Sequence, residues 1–380
     1  MNIAYLSFAT LPSRAAHGVN IIKMCEALAE IGHDVTLYAD SRKPASEILN
    51  LYAVEHPFTI KQIRLIKIRV LGRLLSLLKT ASAVRRARPD LLYTRDVFTG
   101  RLAAKLSLPF VFELHEIHPS GLRDSLFRKL ISSDNCRRLI YISFRIKKLA
   151  EEKYGTAVTD LDSKVAHDAA DIKLYDSRSE PGAFRRELNL PEDTFLVGYT
   201  GSLFPGRGME IILHAAKALR DVTFLIVGGE GHYLSEFKEE VYTSGGNVLF
   251  KGFIPYKNVP PYLLACDALL MPYQRKVLHR QKKHDTAEYM SPLKMFEYMA
   301  AGKAIVSSRI PVLEEILHHE ENALLVAPDN KQEWIEAISR LKDHPDLAAK
   351  LGQNARLDVQ DHSWRRRAER IMEKINLKQD

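Results

Sequence analysis

The sequence predicts an α/β protein built from two Rossmann-like, doubly wound domains. Its 380 residues are about two to three times the usual length of a single domain. Short, nearly continuous apolar segments alternate with helical patterns, as in parallel sheets that helices cover on both faces. This alternation starts again after a polar stretch at 171–193, which we interpret as the linker between the domains.

The first half contains five predicted strands, each a short apolar run: 3–8, 34–38, 91–94, 110–114 and 139–143. A loop that reaches Gly18 separates the first strand from a helix at 19–31. Gly32 ends this helix, because glycine readily adopts the backbone conformation that follows a last helical turn. The first domain is therefore predicted at 1–171.

The second half contains six predicted strands: 195–203, 223–229, 248–253, 268–273, 304–308 and 323–326. A helix is predicted at 209–219, directly after the first of them. The second domain is therefore predicted at 172–360. A last helix lies at 361–380, with one apolar stripe formed by Trp364, Ala368, Ile371, Met372 and Ile375.

Composition excludes several classes of protein. The three cysteines form no CxxC pair, which argues against a disulfide framework or a zinc ribbon and suits a reducing compartment. No apolar run reaches the roughly 18 residues that a membrane span needs. The first residues read as a buried strand and lack the basic region of a signal peptide. We therefore expect a cytoplasmic location.

Positive charge is concentrated in the first half. Up to Asp171 there are 26 Lys and Arg against 18 Asp and Glu, whereas the remainder has 29 of each, which leaves the net charge of +8 on the first domain. The densest stretch carries nine basic residues and no acid: Lys61, Arg64, Lys67, Arg69, Arg73, Lys79, Arg85, Arg86 and Arg88.

From Leu71 this basic stretch has helical periodicity, with an apolar stripe of Leu71, Leu74, Leu75, Leu78 and Ala81. Two interpretations stay open. The basic face is either simply solvated, or it contacts an anionic membrane surface or a phosphorylated acceptor. Nucleic acid is a weaker option, because no aromatic residues alternate with these charges.

Two doubly wound domains in tandem suggest a ligand held between the carboxyl ends of both sheets. A dinucleotide is disfavoured, because the loop after the first strand has one glycine in place of GxGxxG.

The segment 291–308 is the most informative motif. Ser291 is a good N-cap, Pro292 suits the first helical position, and Gly302 lies where the helix stops. The backbone N–H groups of Leu293 and Lys294, with the Lys294 side chain, would then form an anion site suited to a diphosphate. Glu297 could accept hydrogen bonds from a ribose diol. A plain core helix packed through Leu293, Phe296 and Met299 is the alternative.

Taken together, these blocks resemble the retaining GT-B glycosyltransferases of family 4, over nearly the whole chain. SPLKMFEYMAAGKAIV (291–306) resembles the donor-binding block of the family, and GYTGSLFPGRGMEIILHAAKAL (198–219) resembles its phosphate loop. NVLFKGFIP (247–255) and VPPYLLACDALLMPY (259–273) resemble its middle strands. In the first half, the matching segments are DLLYTRD, FELHE, LIYISFRIKKLAEEKYG and VAHDAADIKLYD.

The resemblance implies roles for individual residues at the donor site. Arg207 matches the cation that neutralises the donor diphosphate, and Lys294 and Glu297 fall in the second half of the E-x7-E motif of the family, where Glu297 binds the ribose. Gly18 matches the glycine that lets the diphosphate approach. The resemblance also assigns Ser202, Ile254 and Leu293 to donor binding, with Ser202 standing where many members have an arginine.

The chain departs from the family at the first glutamate of this motif, which falls on Tyr289. Glu288 is one residue away and could replace the carboxylate only if the loop shifts. This departure puts the usual contact to the hydroxyls of the donor sugar in question.

His115, at the end of a strand, matches the family histidine near the junction of sugar and phosphate. Arg95 either reaches an acceptor phosphate or pairs with Asp96. The spacing of His115, Glu116 and His118 is not the helical metal-binding HExxH, and the DxD of Asp160 and Asp162 reads as a solvated loop. We predict no metal and no cofactor.

The resemblance implies a hexosyltransferase-type enzyme that moves a sugar from a UDP- or GDP-linked donor with retention of configuration. Arg207, Lys294 and the helix start would stabilise the leaving diphosphate. The charge asymmetry suggests an anionic or lipid-linked acceptor of cell-surface polysaccharide synthesis, and a peripheral position on the inner face of the membrane.

Two alternatives are a nucleotide-sugar 2-epimerase of the same architecture and a degenerate, non-catalytic subunit. The last helix is expected to cross back to the first domain, as in the family.

Overall fold

A computed structural model describes residues 1–41, 43–63, 69–176, 180–229, 231–242, 246–279 and 282–377. The chain divides into unit 1, which is Met1–Asp168 with Trp364–Asp380, and unit 2, which is Ala169–Ser363. Arg64 and Lys67 of the basic stretch lie outside the described residues, and so do the side chains of residues 69–75.

Unit 1 is built on a parallel sheet of seven strands. These are β1 (Asn2–Leu11), β2 (Asp34–Ser41), β3 (Thr59–Gln62), β4 (Leu91–Thr94), β5 (Phe110–Leu114), β6 (Cys136–Tyr141) and β7 (Ser163–Val165), in the order β3-β2-β1-β4-β5-β6-β7. Every residue of β4 and β5 is buried, as their apolar runs predict. The two edge strands, β3 and β7, were not predicted, because their polar, half-exposed sequences carry no apolar run.

The helices that follow these strands are α1 (Ala16–Glu30), α2 (Ala45–Leu51), α3 (Arg69–Ala87), α4 (Val97–Lys105), α5 (Leu122–Ile131), α6 (Phe144–Tyr154) and α7 (Thr156–Thr159). Where the structure describes the residue before the helix, side chains cap α4 and α6: Asp96 accepts from the backbone N–H groups of Phe98 and Thr99, and Ser143 accepts from that of Ile146.

Helix α1 begins earlier than the sequence predicts, so Gly18 lies in its first turn and not in a loop. A Cβ at this position would come within 2.7 Å of the Tyr52 hydroxyl and 2.8 Å of the Ser13 Cβ. Glycine is therefore needed here for the close packing of the first helical turn.

Of the predicted apolar stripe on α3, the structure describes the side chains of Leu78 and Ala81, whereas those of Leu71, Leu74 and Leu75 lie outside the described residues. Leu78 is 59% exposed, and the side that is buried carries Ser76, Thr80 and Val84. The Thr80 hydroxyl donates to the Ser76 carbonyl at 2.8 Å, which satisfies its polar group inside the unit. The exposed side of the same helix therefore combines an apolar residue with cations.

Unit 2 contains a six-stranded parallel sheet and an antiparallel hairpin. Its elements are α8 (Pro181–Glu187), β8 (Phe195–Gly201), α9 (Met209–Ala218), β9 (Val222–Gly228), α10 (Gly231–Tyr242), β10 (Val248–Gly252), α11 (Pro260–Leu264), β11 (Ala268–Met271), β12 (Leu278–His279), β13 (Lys282–Asp285), α12 (Leu293–Ala300), β14 (Ala304–Ser308), β15 (Leu324–Val326), α13 (Lys331–Asp343) and α14 (Pro345–Asp358). The order of the sheet is β10-β9-β8-β11-β14-β15, and β12 pairs with β13. An apolar core lies on each face of the sheet.

The predicted linker, 171–193, belongs to unit 2 and contains α8. Arg185 anchors this segment, because its buried guanidinium donates to the carbonyls of Ala265, Glu192 and Thr194 and pairs with Asp267 at 2.6 Å. The polar composition at 171–193 therefore reflects a buried hydrogen-bonding arginine as well as solvent exposure.

The last helix, α15 (Trp364–Met372), lies in unit 1 and packs on α1. Trp364, Ala368, Ile371 and Met372 of the predicted stripe are buried, and Arg367 is buried with them. Ile375 lies beyond the helical end. Among the described residues, no helix is both long enough and apolar enough to cross a membrane.

Candidate active site

In the sheet of unit 2, the strand order reverses at β8. From β8 the chain adds β9 and β10 on one side, and it then returns to add β11, β14 and β15 on the other side. In open α/β sheets, ligands bind outside the carboxyl ends of the strands at such a point. The loops after β8 and β11 meet there: the N–H of Gln274 donates to the Gly206 carbonyl at 2.9 Å. Arg207 lies on the first loop and Tyr273 on the second.

Helix α12 brings Lys294 to this place. The helix starts at Leu293 with Pro292 as its N-cap and no side-chain cap, so the prediction of Ser291 as the cap is wrong by one residue. Its end is as predicted, with Gly302 in a left-handed conformation (φ 65°). The buried Tyr298 hydroxyl accepts from the Thr200 N–H at 2.7 Å and ties α12 to the end of β8. Lys294 is the second residue of α12, so it belongs to the first helical turn, whose backbone N–H groups have no partner within the helix.

Lys294 and Arg207 share an aromatic enclosure. The Lys294 ammonium lies 3.8 Å from the ring centre of Tyr199 and 5.4 Å from that of Tyr273, and the Arg207 guanidinium lies 5.0 Å from the Tyr273 ring centre. A Cβ on Gly201 would approach the Lys294 nitrogen to 2.8 Å, and its φ of 131° also favours glycine. The structure thus packs two cations against two tyrosine rings.

These two cations have too little negative charge beside them. Lys294 is only 9% exposed. Burial lowers the pKa of Lys294 well below its usual value, Arg207 lowers it further, and Glu297 acts in the opposite direction. The Nε atom of Arg207 is buried with no hydrogen-bond partner among the residues that the structure describes. A bound anion would relieve both costs, so this cluster is chemically suited to a diphosphate.

Glu297 lies one turn after Lys294 on α12 and is half-buried. This spacing places both side chains on the same side of the helix. Tyr289 is buried, whereas Glu288 is exposed to solvent. The carboxylate nearest in sequence to the missing glutamate therefore belongs to an exposed residue in this structure.

The other predicted donor residues lie at separate positions in the two units. Ser202 follows β8, and its carbonyl accepts from the Tyr199 hydroxyl at 2.7 Å. Leu293 is buried at the start of α12. Ile254 follows β10 and packs, half-buried, against the apolar core. Gly18 belongs to unit 1, in the first turn of α1.

In unit 1, His115 follows β5 and lies against a buried carboxylate. Its Nε2 is 2.5 Å from Oε1 of Glu113, which is fully buried. Burial raises the pKa of Glu113, but Arg367, His115 and Arg95 outweigh it, so that the pKa lies well below its usual value. Burial and Arg95 lower the pKa of His115 to about 4. The pair at neutral pH is therefore a carboxylate and a neutral imidazole.

The Asp96 side chain caps α4 by accepting from the backbone N–H groups of Phe98 and Thr99. The guanidinium of Arg95 donates to Oδ1 of Asn20 at 2.8 Å, and the Asn20 amide donates to Oδ1 of Asp168 at 2.7 Å. Burial raises the pKa of Asp168 to about 6. Arg95 follows β4 and Asn20 follows β1. These are the two neighbouring strands at which the strand order of the unit 1 sheet reverses.

Sequence reasoning missed Glu113, Arg367, Asn20 and Asp168. A signal existed for the first two. Glu113 interrupts an otherwise apolar strand, and buried carboxylates require a partner. Arg367 lies three residues after Trp364, on the apolar stripe of α15. For Asn20 and Asp168, the sequence contained no comparable pattern, since their contact joins residues far apart in the chain.

Side chains of both candidate metal motifs contact protein groups, and Nδ1 of His118 lies 3.5 Å from a carboxylate oxygen of Glu116 within the first motif. Asp162 pairs with Arg138 at 2.5 Å, and Asp160 is exposed. His118 packs against Phe127, with ring centres 5.7 Å apart. Within the described ranges, no group of three or more His, Cys, Asp or Glu side chains is placed to hold a metal ion.

Comparisons with known proteins match both units. Residues 182–358 match the sequence model of glycosyl transferases group 1, and residues 18–162 match that of glycosyltransferase family 4. An uncharacterized glycosyltransferase of Methanocaldococcus jannaschii is 24% identical over 297 residues, which span 72% of each chain. A D-inositol 3-phosphate glycosyltransferase of Saccharomonospora viridis is 24% identical over 213 residues, 52% of this chain and 46% of that one.

Among solved structures, the fold is similar to that of Anabaena HepE in complex with UDP and glucose. The TM-score is 0.78 at 20% identity, and the match covers 98% of both chains. The predicted GT-B fold is therefore confirmed, and the matches favour a transferase over the epimerase and the non-catalytic subunit.

Proposed function

Because the chain belongs to the family 4 glycosyltransferases with the GT-B fold, we propose that unit 2 binds the diphosphate of a UDP- or GDP-linked sugar. The observation that carries this proposal is the buried pair of Lys294 and Arg207 beside the uncapped start of α12. A helix start and two cations in a site of low polarity offer the donors that a diphosphate accepts. The complex of HepE with UDP and glucose supports the same choice of donor.

The same groups account for catalysis. When the bond between sugar and diphosphate breaks, negative charge grows on the leaving phosphate. Lys294, Arg207 and the N–H groups of α12 stabilise this charge in place, so no divalent cation is required. The Glu297 carboxylate accepts hydrogen bonds from the ribose hydroxyls of the donor. We take the configuration at the anomeric carbon to be retained, by analogy with the family.

His115 contributes a hydrogen-bond acceptor for a sugar hydroxyl. A neutral imidazole whose Nε2 donates to Glu113 leaves Nδ1 with a lone pair. Among the described residues, none forms a hydrogen bond with this Nδ1. Arg95 is assigned to an acceptor phosphate, because its guanidinium is half-buried and donates to the neutral side-chain amide of Asn20.

The acceptor is proposed to be anionic and lipid-linked, at the inner face of the membrane. The excess of 26 cations over 18 acids lies entirely before residue 172. On α3, Lys79, Arg85 and Arg86 are exposed together with Leu78. Each cation near an anionic bilayer contributes about 1 kcal/mol, so these residues together could hold the enzyme reversibly at the surface. The D-inositol 3-phosphate enzyme supports an acceptor that carries a phosphate.

Calorimetry of the full chain with UDP, GDP and ADP, each in EDTA, tests the donor assignment. We expect binding of UDP or GDP without a divalent cation. Binding of none of the three, or binding only after magnesium is added, would contradict it.

Sedimentation with phosphatidylglycerol vesicles tests the membrane assignment. Arg85→Gln with Arg86→Gln should weaken binding by about 30-fold, the equivalent of about 2 kcal/mol. Lys217→Gln with Arg220→Gln, exposed on unit 2, serves as the control and should change nothing. Equal binding to neutral and anionic vesicles, or no binding to either, would leave a freely soluble acceptor as the better assignment.

A further inference from the structure

The C-terminal helix inserts an arginine into the interior of unit 1. Arg367 is 2% exposed and lies on the apolar stripe of α15. Its Nε donates to the His167 carbonyl at 2.8 Å, and one Nη donates to the Ala166 carbonyl at 3.2 Å. The other Nη lies 3.1 Å from the Met24 sulfur on α1. The guanidinium therefore contacts two parts of unit 1, the segment that follows β7 and helix α1.

The carboxylate that this guanidinium meets is Glu113. The two nitrogens of Arg367 approach the two carboxylate oxygens at 2.9 and 3.2 Å, which is a bidentate pair. The Tyr93 hydroxyl donates to the same carboxylate. Glu113 is fully buried, so an ionised carboxylate there depends on these donors.

Glu113 in turn fixes the ring of His115. An ionised carboxylate only accepts hydrogen bonds, so the ring nitrogen 2.5 Å from it carries the proton. The other nitrogen is then unprotonated. His115 is 17% exposed, whereas Glu113 and Arg367 are not accessible to a substrate. The contacts thus run from Arg367 on α15 through the buried Glu113 to the partly exposed ring of His115.

We propose that Arg367 and Glu113 are positioning residues for sugar transfer, which hold His115 as the Nε2–H tautomer with Nδ1 presented to a sugar hydroxyl. This inference rests on the function proposed above for His115. It extends that function, because helix α15 then helps to set the tautomer of His115. Helix α15 would then be required for the chemistry as well as for stability.

The titration of His115 reports on this arrangement. The charged or titratable groups around it lie on strands β1, β4 and β5, after strands β4 and β7, and on helix α15. They are Tyr5, Tyr93, Glu113, Arg95, Asp168 and Arg367. Burial and the cations Arg95 and Arg367 keep the imidazole neutral, with a pKa of about 4. Without Arg367, less positive charge balances the negative charge of Glu113. That negative charge would then favour the protonated form of His115. The pKa of His115 should therefore rise.

Long-range ¹⁵N–¹H NMR of the full-length protein measures tautomer and titration, with His115→Gln to assign the signals. The wild type should show a neutral Nε2–H tautomer throughout pH 5–8. In Arg367→Met, His115 should titrate at higher pH, and Arg367→Lys should lie between the two. Arg366→Met, at an exposed position of the same helix, should behave like the wild type.

Kinetics of the same variants add a second measurement. We expect kcat for Arg367→Met to fall by about 10²-fold, which is the cost of a misplaced catalytic group. The acidic limb of its pH–kcat profile should move to higher pH, and its affinity for UDP should not change. If Arg367→Met does not fold, the double variant Arg367→Met with Glu113→Gln removes both buried charges. That variant should fold, and His115 should then lose its single tautomer.

Identical tautomer and titration in the wild type and in Arg367→Met, or in the double variant if Arg367→Met does not fold, would overturn the inference. So would a charged His115 at pH 7 in the wild type. A wild type that transfers no sugar at all would refute the proposed function, and the NMR result would still decide whether Arg367 sets the state of His115.

Discussion

Replacing Lys294 by methionine should weaken catalysis and at the same time stabilise the fold. Methionine keeps the packing against Tyr199 and removes only the charge. A unit charge about 4 Å from a phosphate oxygen is worth about 4 kcal/mol at an effective dielectric constant near 20. This agrees with the loss of about 2.7–4 kcal/mol for one preorganised donor, which lowers kcat/KM by about 10²–10³-fold.

The effect on stability has the opposite sign. Burial lowers the pKa of Lys294, so the unfolded chain binds a proton more readily than the folded one. The charge therefore costs stability below the unfolded pKa near 10.5, and the cost shrinks as the pH rises toward that value. Lys294→Met should raise the Tm at pH 7, and the gain should be smaller at pH 9.5.

Lys303→Met is the matched control. Lys303 follows the other end of α12, and burial lowers its pKa as well. This variant should also raise the Tm, yet leave kcat/KM and UDP affinity as in the wild type. Thermal unfolding, calorimetry with UDP and turnover measure the three quantities. Unchanged UDP affinity and kcat/KM in Lys294→Met would show that Lys294 is a packing residue and not a phosphate ligand.

Three further outcomes follow from the charges in the two units. Because side chains and a helix start act on the leaving phosphate, EDTA should leave turnover intact, and loss of activity that magnesium restores would refute this. UDP should raise the depressed pKa of Lys294, so the protein should take up protons when it binds UDP at alkaline pH. Calorimetry in buffers of different ionisation enthalpy measures this uptake, and equal heats of binding in all buffers would argue against it. Burial raises the pKa of Asp168 to about 6, so the stability that its protonated form gives at low pH is lost as the pH rises through 6. Asp168→Asn should therefore raise the free energy of unfolding in urea at pH 8, by at most about 3 kcal/mol, and change nothing below pH 4.

The sequence predicted the central strands because burial on both faces leaves a readable apolar run. β4, β5 and β14 lie at the positions that their apolar runs predict. The edge strands β3 and β7 have no such run. Hairpin β12–β13 was also missed, since basic and polar residues fill it. Local chemistry predicted the end of α12, but Pro292 takes the N-cap position and Ser291 does not.

The donor side of the site could be predicted because its residues lie in two short blocks. Arg207 and Lys294 carry charge at a loop and a helix start, and each is visible in its own segment. The tyrosine rings around them could not be assigned, because Tyr199 and Tyr273 read as ordinary core residues of strands. The pair of Glu113 and Arg367 joins positions 254 residues apart, and only the packing of α15 brings them together.

Turnover of a nucleotide sugar in EDTA, measured as release of the nucleoside diphosphate, tests the central claim most directly. The buried cations of unit 2 are expected to act on the leaving diphosphate. Arg207→Met should therefore lose about 10²–10³-fold in turnover relative to the wild type. Arg275→Met, at a 67% exposed position that pairs with Asp329, should retain it. Equal turnover in wild type and Arg207→Met, or no release from any UDP- or GDP-linked sugar, would contradict the claim.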